Sequence, residues 1–119
     1  MKLEREWLRG AAPLAIMTLL DRQEMYGYEL CTALERDSGN LLGLGQSTVY
    51  TALYSLESRG LVAVTERAAE TGRRRKYYRL TEAGERWLET HVRQWQLLAE
   101  ALHRLGVGQA GPQPEAVPT

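Results

Sequence analysis

The chain has 119 residues, with 15 lysine and arginine residues against 15 aspartate and glutamate residues, which is the size of one small domain and leaves little room for catalysis. At 44% hydrophobic and 25% charged it is apolar enough to fold; no apolar run approaches the roughly 18 residues of a membrane span, and residues 1–10 lack a signal-peptide core, so the cytoplasm is the expected compartment. A single cysteine, Cys31, excludes an intrachain disulfide and a cysteine-rich zinc site, so neither metal nor cofactor is expected, and self-association is the obvious support for so small a core.

In chain order, residues 2–9 carry Leu3, Trp7 and Leu8, and after Gly10 a second helical stretch is expected over 13–20, with Leu14, Met17 and Leu20 at helical spacing and Pro13 in its first turn. Tyr26, Leu30, Ala33 and Leu34 recur at i, i+4, i+7 and i+8, predicting a helix over 27–38 that ends before Gly39. A glycine-rich turn over 39–45 leads to Ser47, which precedes a helix ending at Arg59; Val49, Leu53 and Leu56 form its apolar stripe and Gly60 closes it. From Leu61 the period changes. Residues 61–67 are rich in Val and Thr, and 75–80 contain Tyr77 and Tyr78, with Glu70, Thr71 and Gly72 between them, predicting a β-hairpin in which one tyrosine packs inward and the other faces out. Thr81 caps a long helix over 81–105, where Leu88, His91, Trp95, Leu98, Leu102 and Leu105 alternate three and four apart as a dimerisation seam does.

The expected fold is therefore mainly α with a small β part (α+β). It consists of a winged helix-turn-helix over 1–80 with a two-stranded wing, a C-terminal dimerisation helix over 81–105, and a disordered tail over 106–119. Zero net charge hides a local excess. Residues 1–58 hold five basic and eight acidic groups, 59–79 hold seven and two, and 80–119 hold three and five. Concentrated positive charge of this kind suits local contact with a polyanion. On the third helix Ser47, Thr48, Thr51, Ser55 and Ser58 recur opposite the apolar stripe, small enough for close approach to base edges in a major groove and able to hydrogen-bond there. Tyr50 and Tyr54 lie between the two faces, where a phenol can donate to a phosphate oxygen. Arg73, Arg74, Arg75 and Lys76 form the wing tip, with Arg79 nearby. Their mutual repulsion is relieved by phosphates.

Two motifs in register, GQSTVYTALYSLESRGLV and TGRRRKYYRLTEAGERWL, together with MYGYEL, resemble the PadR family of bacterial transcription regulators over roughly residues 3–105. The short last helix resembles the compact branch of that family, and Ala52 departs from it where many members have proline. The resemblance implies a homodimeric repressor of operator DNA, with Thr48, Tyr50 and Thr51 and the run from Arg73 to Lys76 in contact with the duplex. It also implies a planar aromatic effector stacked on Trp95 between subunits, with Trp7 lining the same space. The rival expectation is a winged-helix interaction module whose basic hairpin docks an acidic protein. Cys31 reads as an inert thiol, His91 and His103 are not spaced as metal ligands, and no nucleophile has an evident base beside it, so no enzyme is expected.

Overall fold

The computed structural model describes residues 3–109 and contains α1 (Arg5–Arg22), β1 (Met25–Tyr26), α2 (Gly27–Asp37), α3 (Gln46–Ser58), β2 (Val62–Ala68), β3 (Arg74–Leu80) and α4 (Glu82–Arg104). Three helices surround an apolar core in which Ile16, Met17, Leu30, Val49, Leu53 and Leu56 are fully buried, and among the described residues no polar or charged residue is buried with them. The strands form one antiparallel sheet in the order β1-β3-β2. This is the winged-helix arrangement with a long C-terminal helix.

Three local details differ from the sequence reading. First, α1 runs unbroken through Gly10 and Pro13. A glycine inside a helix costs only about 1 kcal/mol relative to alanine, and Pro13 removes the donor to the carbonyl of Arg9 at a cost of about 3 kcal/mol. Burial of Ile16, Met17, Leu19 and Leu20, each contributing roughly 1.5–3 kcal/mol, outweighs both. Second, Tyr26 lies in β1 rather than on the stripe of α2. A two-residue strand has no period to detect and exists only through its pairing with β3, Met25 opposite Tyr78 and Tyr26 opposite Tyr77. The sheet therefore has three strands, one more than the expected wing. Third, Ser47 lies inside α3, whose N-cap is Gly45.

The tyrosine question is decided by register. Tyr78 shares the core-facing side of the sheet with Met25 and is buried, whereas Tyr77 lies on the opposite side, half-buried beside Tyr26. Burial pushes the Tyr78 phenol up from its ordinary pKa, with Glu57 and Tyr50 adding to the shift.

The ends of α3, β2, β3 and α4 converge on one small junction. Gly60, at φ +74°, terminates α3, and the Thr81 hydroxyl donates to the Gly60 carbonyl at 2.7 Å while accepting from the Gly84 amide at 3.0 Å. The Thr81 amide donates to the Leu61 carbonyl at 3.2 Å. Thr81 thus caps α4 and fastens it to the end of α3, and Gly84 lies directly against the Leu61 carbonyl. Beyond this root α4 runs for 23 residues, about 34 Å. Leu88 is buried in the protomer's own core and Trp87 and Val92 are half-buried, so the free part of the expected seam begins one turn later than the sequence spacing indicates. The tail expected beyond Gly106 falls mostly outside the described residues, which end at Gln109.

Gly84→Ala is a contest between two effects. Helix propensity favours alanine by about 1 kcal/mol, whereas a Cβ there would lie 3.1 Å from the Leu61 carbonyl carbon, 3.2 Å from Met17 Cε and closer still to the Leu61 oxygen. The collision prevails, and urea denaturation should show a net loss of about 1–3 kcal/mol; a more stable variant would refute the close approach.

Candidate nucleic-acid interface

The outward face of α3 is built by exclusion. Val49, Leu53 and Leu56 occupy the core side, so the helical period turns Ser47, Thr51 and Ser58 directly away from the domain, with Thr48 and Ser55 beside them. All five are exposed, and of their hydroxyls only that of Ser58 makes a hydrogen bond among the described residues, donating back to Ser55 O at 2.9 Å. Tyr54 and Tyr50 follow on the flank towards α2, 76% and 42% exposed.

Tyr50 has a made-to-measure seat. Its ring lies on Gly27, the first residue of α2, where any Cβ would overlap the phenol. Partial burial raises the Tyr50 pKa, with Cys31 adding to the shift, so the hydroxyl keeps its proton at neutral pH and is available as a donor. Gly27 is a site residue that sequence reasoning missed; the sequence signal is the YGYE segment, where a glycine follows the strand and opens a helix. Cys31 is half-buried and burial raises its pKa, which keeps the thiol protonated and weakly nucleophilic.

The wing cations are less alike than their adjacency in sequence implies. Arg74 bonds Glu66 across the hairpin, Nε to Oε1 at 3.0 Å, on the core-facing side with Lys76. On the opposite side Arg75 lies 4.2 Å over the Tyr26 ring and Arg67 lies 3.7 Å over the Tyr77 ring, while Tyr26 and Tyr77 meet edge to face at 5.5 Å. Glu24 pairs with Arg67 and closes this ladder. Repulsion among the arginines is thus partly relieved inside the protein, where Glu66 supplies a nearby anion. Arg73, Lys76 and Arg79 have no carboxylate partner among the described residues.

The same division extends over the molecule. Ion pairs hold Arg22 and Arg36 at Asp37, Arg93 at Glu89 and Arg104 at Glu100, all on the α2 side or along α4. Arg9 and Arg59, which border α3, are unpaired among the described residues, and sequence reasoning missed both. An i, i+4 pair of arginines at Arg5 and Arg9 on the first helix was the available signal.

On α4, Trp95, Leu98, Leu102 and Leu105 are exposed, as is His91, whose ring stacks on Trp87 at 3.8 Å. Trp7 and Trp95 are 65% and 58% exposed, and neither lines any of the five grooves described on the protomer. An aromatic ligand held between them therefore has no support in the geometry of one chain. Among the described residues no group of three or more His, Cys, Asp or Glu is placed to hold a metal, and no helix is long and apolar enough to cross a membrane.

A model of the PadR-like transcriptional regulator family matches residues 16–90 of this sequence. The chain belongs to that family. PadR proteins are transcriptional regulators rather than enzymes. The PadR-like regulator of Bacillus cereus superposes with a TM-score of 0.75 at 27% identity, covering 87% of this chain and 99% of that one. The PadR family regulator of Eggerthella lenta is 32% identical with a TM-score of 0.74, covering 87% of this chain and 88% of the other. The transcriptional regulator YqjI of Escherichia coli is 30% identical over 107 residues, which are 90% of this chain and 50% of YqjI, so the chain spans half the length of that relative.

A double-mutant cycle tests the Tyr50 seat. Gly27→Ala should destabilise the protein by about 1–3 kcal/mol, and in the Tyr50→Ala background the cost should disappear or reverse, giving a measurable coupling in denaturant melts. Additive effects would mean that Tyr50 does not rest on Gly27.

Proposed function

We propose that this PadR protein is a homodimeric, sequence-specific DNA-binding repressor acting in the cytoplasm of a bacterium, with α3 of each protomer in the major groove of a pseudo-palindromic operator. The observation that carries this reading is the outward face of α3: small hydroxyls at its centre, Tyr50 and Tyr54 on one flank, and unpaired arginines on the other. A purely solvated helix face has no need of such a composition, and base edges accept the hydrogen bonds that it offers. Ser47, Thr48, Thr51 and Ser55 read bases; Tyr50, Tyr54 and the wing residues Arg73, Arg74, Arg75 and Lys76 meet the backbone.

Residues 1–80 form the reading unit and 81–105 the pairing unit. His91, Trp95, Leu98, Leu102 and Leu105 would bury against a second copy, placing the two recognition helices about 34 Å apart or a multiple of that distance. Exposed leucines along three turns of one helix support this pairing, because water is a poor environment for so continuous an apolar stripe.

Two measurements test the proposal. Log affinity for duplex DNA should fall linearly with log salt, and Lys76→Ala should reduce the slope by about 0.9 per lost phosphate contact; absence of retardation at low salt would instead favour docking of an acidic protein. Leu98→Glu should give protomers by sedimentation, with operator affinity lost at the same time, and a variant that keeps the dimer mass would refute the α4 interface.

A further inference from the structure

The proposed function assigns no contact to Arg9 and Arg59, the two arginines on the flank of α3 opposite Tyr50 and Tyr54. Between the N-terminal half of α1 and the edge of α3 lies a groove of about 320 Å³. Its floor is Ala12, Pro13, Ala52 and Leu56, its rim carries the Thr48, Thr51 and Ser55 hydroxyls, and Arg9 and Arg59 border it. Neither arginine has a carboxylate within 4.0 Å among the described residues. Both are exposed, so their charge is directed to something outside the chain or to water.

We infer that this groove receives the phosphodiester backbone of one DNA strand, with Arg9 and Arg59 as its contact residues, while Tyr50, Tyr54 and the wing take the other strand. The inference rests on the DNA-binding reading and extends it to residues of α1 and to the C-terminal end of α3. An α-helix with its side chains is about 10–12 Å across and the major groove about 12 Å wide, so a helix seated there fills it and brings both of its flanks against a backbone. One flank of α3 is furnished with phenols. The other is furnished with this trench and its two guanidiniums. Thr48 and Arg59 are separated by about 17 Å of helical rise, so cations bordering the groove near its two ends address separate phosphates of a strand that carries one charge per about 3.4 Å of axis. A guanidinium fork suits bidentate contact with phosphate, and small residues at positions 12 and 52 keep the trench open for a backbone to approach. Pro13 contributes as well. Its ring removes one backbone donor from α1 and adds apolar surface to the groove floor between the two guanidiniums.

The test uses the full chain and a mixed-sequence duplex of about 30 base pairs, followed by fluorescence anisotropy across a salt series, because backbone contacts are indifferent to sequence. Arg9→Gln and Arg59→Gln keep good helix formers in place and should each lower the slope of log affinity against log salt by about 0.9 per protomer bound, and the double variant by about twice that. Arg9→Lys should retain most of the slope, and Arg93→Gln on α4 should leave it unchanged. Wild-type slope in both glutamine variants, or equal loss in Arg9→Lys and Arg93→Gln, would overturn the inference while leaving the DNA-binding reading intact. A wild-type protein that does not bind the duplex at low salt would overturn the DNA-binding reading itself, so the two failures are distinguishable.

Discussion

The architecture depends on one contact, the seating of Gly84 on the carbonyl of Leu61. That carbonyl also accepts from the Thr81 amide, and Thr81 in turn holds Gly60. The end of α3, the start of β2, the end of β3 and the first turn of α4 therefore share a junction with no slack, in which a single methyl group has no space. Rigid geometry at this point gives α4 a defined direction relative to α3, and a long helix turns that direction into a position for whatever lies at its far end. The apolar core supplies cohesion, but the core residues are generic aliphatics that would tolerate other angles between the elements. The specificity of the angle comes from the backbone contact.

Electrostatics divides the molecule in a second way. Arg36 of α2 and Arg93 and Arg104 of α4 are paired with acidic neighbours, whereas among the described residues Arg9 and Arg59 beside α3 and several wing cations are not. This partition reconciles zero net charge with the polyanionic partner proposed above, since unpaired groups project a stronger field beyond their own surroundings than paired ones do. Within the wing the two populations meet: Arg67 and Arg75 are spread over tyrosine rings on the outer face of the sheet, while Arg73 and Lys76 have no carboxylate partner among the described residues.

Most of the fold is legible in the sequence because its signals are periodic or stereochemical. The stripe of α3, the Gly60 terminus, the Thr81 cap and the change of period at Leu61 are each written in the residues that enforce them. What escapes is what depends on a partner distant in sequence. β1 is a strand only because β3 lies alongside, and Leu88 belongs to the core rather than to the free stripe because α1 packs over it, a distinction invisible to spacing alone. Continuity of α1 through Gly10 and Pro13 likewise reflects buried neighbours overruling local preference. The candidate site was half readable. The hydroxyl face and the wing follow from α3 and the hairpin themselves, but Arg9 lies in a segment, residues 1–58, whose eight acidic residues outnumber its five basic ones and cancel it in any running total of charge, and Gly27 matters only because Tyr50 folds over it.

In the dimer proposed above, the bare apolar edge of α4 would link behaviour to abundance. A chain that shields such an edge only against its own copy assembles as the square of its concentration when dilute, so a modest fall in synthesis becomes a disproportionate fall in the assembled form. In that dimer, the same exposed leucines that pair the protomers would make the assembled fraction depend on the expression level.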